Sequence, residues 1–131
     1  MIHQVQIISI DKTDEHEGIV RFSIQENEYK AFFYGEDFLE GESASVEFDQ
    51  LNYPLEWDVI FNENKQKELR IDKAEDSDWS YYGYGKITAI DPIVADFGDI
   101  KLELGNWTND PKVIGEFIYW KIERFDIIRI K

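Results

Sequence analysis

The side chains that most often carry chemistry are few in this sequence and poorly spaced for it. His3 and His16 are its two histidines. They fall in different segments, with no His-x-x-x-His or His-Glu-x-x-His spacing for a metal or a general base. There is no cysteine, which removes thiolate nucleophiles, disulfides and thiolate zinc sites together. No serine stands in a Gly-x-Ser-x-Gly setting, and no glycine loop has phosphate-cradling spacing. Carboxylates are abundant, 28 in 131 residues. Paired carboxylates can hydrolyse glycosides, but at this density some pair falls at a suitable distance in any fold. Two acidic loops offer oxygens to a hard cation: Asp11, Asp14, Glu15 and Glu17, then Asp72, Glu75, Asp76 and Asp78. Neither has the twelve-residue calcium pattern with its central glycine and terminal glutamate. The expectation is a protein that is not an enzyme and has no cofactor and no metal site.

Recognition chemistry is better represented. Residues 76–84, DSDWSYYGY, place Trp79, Tyr81, Tyr82 and Tyr84 beside Asp76 and Asp78, with a glycine on each side of Tyr84. Tyrosine and tryptophan are the side chains that anchor interfaces. On an alternating strand they cannot all point inward. Two readings stand for this cluster, an exposed interface and a barrel corner whose aromatics cover glycines. A second stretch, residues 34–58, carries eight carboxylates, among them Glu36, Asp37 and Glu40, together with Tyr34, Phe38, Tyr53 and Trp57, and no Lys or Arg. The candidate partner-binding set is Trp79, Tyr81, Tyr82, Tyr84, Asp76, Asp78, Glu36, Asp37 and Glu40.

The elements that must position these residues read as strands. Period-two alternation runs through 3–10, 19–26, 29–34 and 44–49, and again through the segments after Trp79, ending in a long strand over 115–125. Residues 11–18 and 35–43 read as loops, and Asn27-Glu28 as the turn of a hairpin. In the middle, 57–61 and 68–71 read as short strands, with one helical turn over 63–70 as the competing assignment. Pro54 belongs at a turn or a sheet edge. No segment shows ten residues of helical periodicity. Strand is therefore expected in more than about 40% of residues, against a usual 20–25%. Phe22, Ile24, Val46, Phe48, Ile87, Ile90, Leu102, Leu104, Ile118 and Ile122 are the expected core.

The segments IISID (7–11) and KITAID (86–91) are alike, and each leads through an Ile-Val pair and a hairpin to a Gly-Glu step, Gly41-Glu42 and Gly115-Glu116. The chain reads as a single domain, 1–131, with pseudo-repeat units 3–50 and 84–128 joined by a connector over 51–83. Each unit resembles part of an OB-fold barrel, the second more closely, over about residues 80–128. The resemblance implies an all-β, OB-like small barrel, with two similar strand–hairpin–strand halves and little helix.

Net charge is −14, and it is uneven: residues 1–85 hold 20 acids and 7 bases, residues 86–131 hold 8 and 7. Such a polyanion repels nucleic acid and anionic membrane and attracts basic proteins at long range. Acidity also serves solubility, so the charge has two readings. The opening residues carry no basic stretch followed by an apolar run, and no apolar run approaches a membrane span; a cytoplasmic location is expected. In character the chain resembles acidic bacterial toxin-immunity proteins, which implies an inhibitor of a basic toxin or nuclease. The alternatives are a housekeeping protein-interaction module and a small-ligand or carbohydrate-binding module.

Overall fold

The computed structural model describes residues 1–35 and 37–130. The protein is nearly all β, 57% strand and 5% helix. Nine strands follow in chain order: β1 (Ile2–Asp14), β2 (Glu17–Ile24), β3 (Asn27–Tyr34), β4 (Ser43–Asn52), β5 (Arg70–Lys73), β6 (Tyr81–Ala89), β7 (Ile93–Asp96), β8 (Lys101–Gly105) and β9 (Phe117–Arg129). One helical turn, α1 (Trp57–Ile60), lies between β4 and β5, and a 3-10 turn at Pro111–Val113 precedes β9.

The strands form one sheet in the order β3-β2-β1-β4-β9-β6-β7-β8, with β5 added to β6. Neighbours pair antiparallel. A single parallel contact, Phe32 opposite Asp126, brings β3 back to β9. It closes β1, β2, β3, β9 and β4 into a ring, a small barrel. β9 can serve both halves of the sheet because it is thirteen residues long: its first half pairs with β6 and its second with β4. Each half is tied by the same pair of backbone hydrogen bonds. Gly41 donates to Ile7 O at 2.9 Å and Gly115 to Ile87 O at 2.8 Å. Ile7 in turn donates to Glu42 O, and Ile87 to Glu116 O.

Burial follows the pleat. In β2, Val20, Phe22 and Ile24 are buried and Arg21 is exposed; in β6, Tyr81, Gly83, Gly85 and Ile87 are buried while Tyr82 and Lys86 are exposed. Of the ten expected core residues eight are buried, and Phe48 and Ile90 pack half-buried against the same cluster. Gly83 and Gly85 are glycines because Phe97 lies on them. A Cβ at either position would meet the Phe97 ring at 2.6 and 2.7 Å. The aromatic that covers these glycines comes from the β7–β8 connection, on the inner face, and the tyrosines of β6 do not do it.

Four local expectations need correction. Residues 57–61 are no strand: Val59 and Ile60 donate to Glu56 O, making one helical turn that buries Ile60. Residues 63–70 hold no helix, so the helical turn comes earlier in the chain than expected. Residues 11–18 are largely strand, since β1 runs to Asp14 and β2 starts at Glu17. The β2–β3 turn falls on Gln25-Glu26, with Gln25 at φ 59°, while Asn27 and Glu28 already belong to β3. That register keeps Phe22 opposite Tyr29 on the buried face. Among the described residues no helix is long and apolar enough to cross a membrane.

Candidate interaction surface

The outer face of β5, β6 and β9 carries a row of aromatic side chains. Cross-strand register puts Arg70, Tyr84 and Tyr119 in one line, and Asp72, Tyr82 and Lys121 in the next. Directly opposed residues share a face, so these side chains meet outside the barrel. Tyr82 stacks on Tyr119 with centroids 6.3 Å apart and rings within 11° of parallel. Tyr84 contacts the same ring at 5.1 Å. The Arg70 guanidinium lies 4.1 Å from the Tyr84 centroid, a cation–π contact. It is held there by Glu68, at 2.9 Å, and by Asp72. Burial pushes the Tyr119 phenol up to about 12, and Tyr84, Tyr82, Glu63 and Glu56 add to the effect. Glu56 lies 4.0 Å from the Lys121 ammonium, next to Tyr82 in the ladder. Tyr53, 44% exposed, extends the surface across a shallow groove shared with Glu56, Tyr119 and Lys121.

One residue that sequence reasoning passed over fixes the rim. Asn64 is buried. Its Nδ2 donates to Glu68 O at 3.0 Å, Ile118 O at 3.2 Å and Gly85 O at 3.4 Å, and its Oδ1 accepts from Glu68 N. It pins residues 62–68 to β6 and β9, and so positions Glu63 and Glu68 beside the tyrosines. A lone asparagine in a polar loop carries no sequence signal for this task.

The residues singled out from sequence do not form one surface. Tyr82 and Tyr84 lie in the row described above. Tyr81 is core, 1% exposed, and its removal from the candidate anchors is a correction. Its hydroxyl bonds the Lys30 backbone twice, and burial holds its pKa well above the usual phenol range. Trp79 turns away from the row to pack edge-on against Phe32 at 5.7 Å, beside the Arg124 guanidinium, which lies 4.6 Å from the Phe32 centroid. Asp78 pairs with Lys30 at 3.3 Å, and Asp76 is exposed in a turn.

Asp37 pairs with Lys12 at 2.6 Å, and its carbonyl accepts from Arg129. Glu40 accepts weakly from Ile10 N at 3.4 Å. Glu36 lies outside the described residues. Arg129 and Tyr119 are ten positions apart on β9, roughly 30 Å along an extended strand. The 35–42 loop is therefore remote from the tyrosine row, which is the second correction: a single surface joining Asp37 and Glu40 to Tyr82 and Tyr84 does not exist.

The chemistry of the tyrosine row is that of recognition: flat, rigid, amphipathic rings with ion pairs between them. Comparison with protein-family models, with curated proteins and with solved structures finds no match.

Proposed function

We propose that this protein is a non-catalytic binding protein that takes a basic protein partner on the tyrosine row. The observation that carries the proposal is the run Tyr82–Tyr119–Tyr84 on an outer sheet face, with Asp72 opposite Tyr82 and the Glu56–Lys121 pair beside it. Tyr82 is exposed and Tyr84 and Tyr119 are half-buried; such tyrosines supply contact area at small entropic cost and accept cations on their faces. The net charge of −14 supplies long-range attraction for a basic protein. Within this class, an inhibitor of a basic toxin or nuclease, of the immunity type, is the function we favour. The ring β1-β2-β3-β9-β4 supports an OB-like description of the barrel: a three-strand meander, a parallel step from the third strand to the last, and an antiparallel return.

Affinity capture from the source cell on immobilised protein tests the proposal. A basic protein should be retained at low salt and released as salt rises, and a Tyr82→Ala, Tyr119→Ala double variant should fail to retain it. Retention of acidic proteins only, or equal retention by the double variant, refutes the proposal. A captured protein that is toxic or nucleolytic alone and silent in the complex supports the inhibitor. A harmless housekeeping partner replaces that with an ordinary interaction module.

A further inference from the structure

The edge of the sheet beside the tyrosine row is open. Among the described residues β5 pairs with β6 on one side only. Ala74 N–H donates to Ser80 O at 2.8 Å, so the backbone polar groups of Ala74 face β6. In an antiparallel strand these groups alternate sides residue by residue. Those of Asp72 and Arg70 therefore face β6 as well, and those of Ile71 and Lys73 point to the open edge.

A second open edge faces this one. Among the described residues β3 pairs with β9 only at Phe32. Two residues earlier the Tyr81 hydroxyl occupies the edge of β3, accepting from Lys30 N–H and donating to Lys30 C=O, each at 2.6 Å. The same alternation turns the backbone of Glu28 outward. Between the two edges lies a groove of about 380 Å³, walled by residues 27–29, 69–73 and 97–99. It continues into a second of about 220 Å³ that shares Glu28, Tyr29 and Lys73.

The charges along the groove are mostly satisfied. Arg21 pairs with Glu28, Lys30 with Asp78, and Arg70 with Glu68 and Asp72. The Lys73 ammonium donates to Ala74 O and Ser77 O. Asp99 differs. Its Oδ2 accepts from the Asn27 amide at 2.6 Å and the Tyr29 hydroxyl at 2.8 Å. Both are neutral donors, and among the described residues Asp99 belongs to no ion pair. A carboxylate so held is fixed in place and keeps its charge available for a cation.

We propose that this groove takes an extended segment of the basic partner, added as a strand to the edge of β5, with a lysine or arginine placed on Asp99. The inference rests on the proposed function and specifies its mode of recognition. Main-chain hydrogen bonds to Ile71 and Lys73 give affinity, and the cation at Asp99 sets direction. The added strand continues the sheet whose outer face carries Tyr82 and Tyr84, so one partner covers both features.

The test uses seven-residue peptides of alternating Thr and Val with an arginine at one end or the other, and counterparts with glutamate in its place. They are titrated into the whole isotope-labelled protein and followed by amide NMR. The expected result is that one arginine peptide shifts the Ile71 and Lys73 amide resonances and slows their hydrogen exchange, while the glutamate peptides do neither. Asp99→Asn should weaken that binding about tenfold, the loss of one charge-assisted contact. Lys73→Pro, which removes an edge N–H without touching the β5–β6 ladder, should abolish it, and Lys73→Ala should retain it. Should the proline variant not fold, the exchange of Ile71 and Lys73 in the wild-type protein decides alone. Binding that leaves these two amides unchanged overturns the proposal. So does their protection without peptide in a concentration-dependent dimer, which would make the occupant a second copy. A captured basic partner that depends on Tyr82 yet leaves Ile71 and Lys73 unprotected overturns strand addition and leaves the tyrosine-row proposal standing.

Discussion

The Tyr81 hydroxyl stands in for a strand: it satisfies both backbone groups of Lys30 at the edge of β3, each at 2.6 Å. Tyr81→Phe keeps the ring among Tyr29 and Phe125 but orphans a donor and an acceptor. We predict a loss of about 1–3 kcal/mol in urea unfolding with an unchanged m-value. A loss below a few tenths would show that water replaces the hydroxyl at no cost. The adjacent Tyr82 has the opposite fate, and the period-two pattern foretold that not all of the cluster could point inward. Which members turned in was not legible, because strand parity depends on where β6 pairs with β9. Asn64 and Tyr119 were illegible for another reason. Their importance comes from residues brought together across the sheet, Gly85 and Ile118 for the first and Tyr82 and Tyr84 for the second.

Long strands were legible as elements because alternation over eight or more residues has one explanation, a half-buried strand. The four-residue turn α1 was not, since four residues hold too little pattern to separate a helix from a strand. Pairing between distant elements was also hidden, and His3 illustrates its consequence. From β1 its Nε2 accepts the Lys101 N–H of β8 at 3.1 Å, which requires that nitrogen to be unprotonated. Burial lowers its pKa from 6.5, opposed by the nearby Met1 backbone and aided by the N-terminal charge and Lys101. The unfolded chain then takes up the proton first as pH falls. The contribution of His3 is therefore intact above about pH 6.5 and is lost as pH drops from there through the folded-state pKa. Unfolding free energies measured at pH 7, 6 and 5 should fall more steeply for the wild type than for His3→Gln. Parallel slopes would show that the contact between β1 and β8 does not depend on the protonation of His3.

At the scale of the whole molecule, charge and surface chemistry divide the work of binding. The carboxylate excess acts over a Debye length, about 8–10 Å at ordinary salt, and so governs encounter. The tyrosine rings act only in contact and so govern release. Acidity was plain in the composition, whereas the site was not, because carboxylates that act on Tyr119, Glu56 and Glu63, come from the connector between β4 and β5 and not from the residues beside the tyrosines in the chain. The division is open to direct measurement on the captured partner by surface binding kinetics, comparing the wild type with Tyr119→Ala and with Glu56→Gln plus Glu63→Gln at low and high salt. Tyr119→Ala should raise the dissociation rate, for a total loss of about 2 kcal/mol or more at either salt. The paired glutamine variant should lower the association rate at low salt, and this difference should shrink at high salt. Wild-type rates for Tyr119→Ala, with a partner whose association is indifferent to salt, would contradict this division.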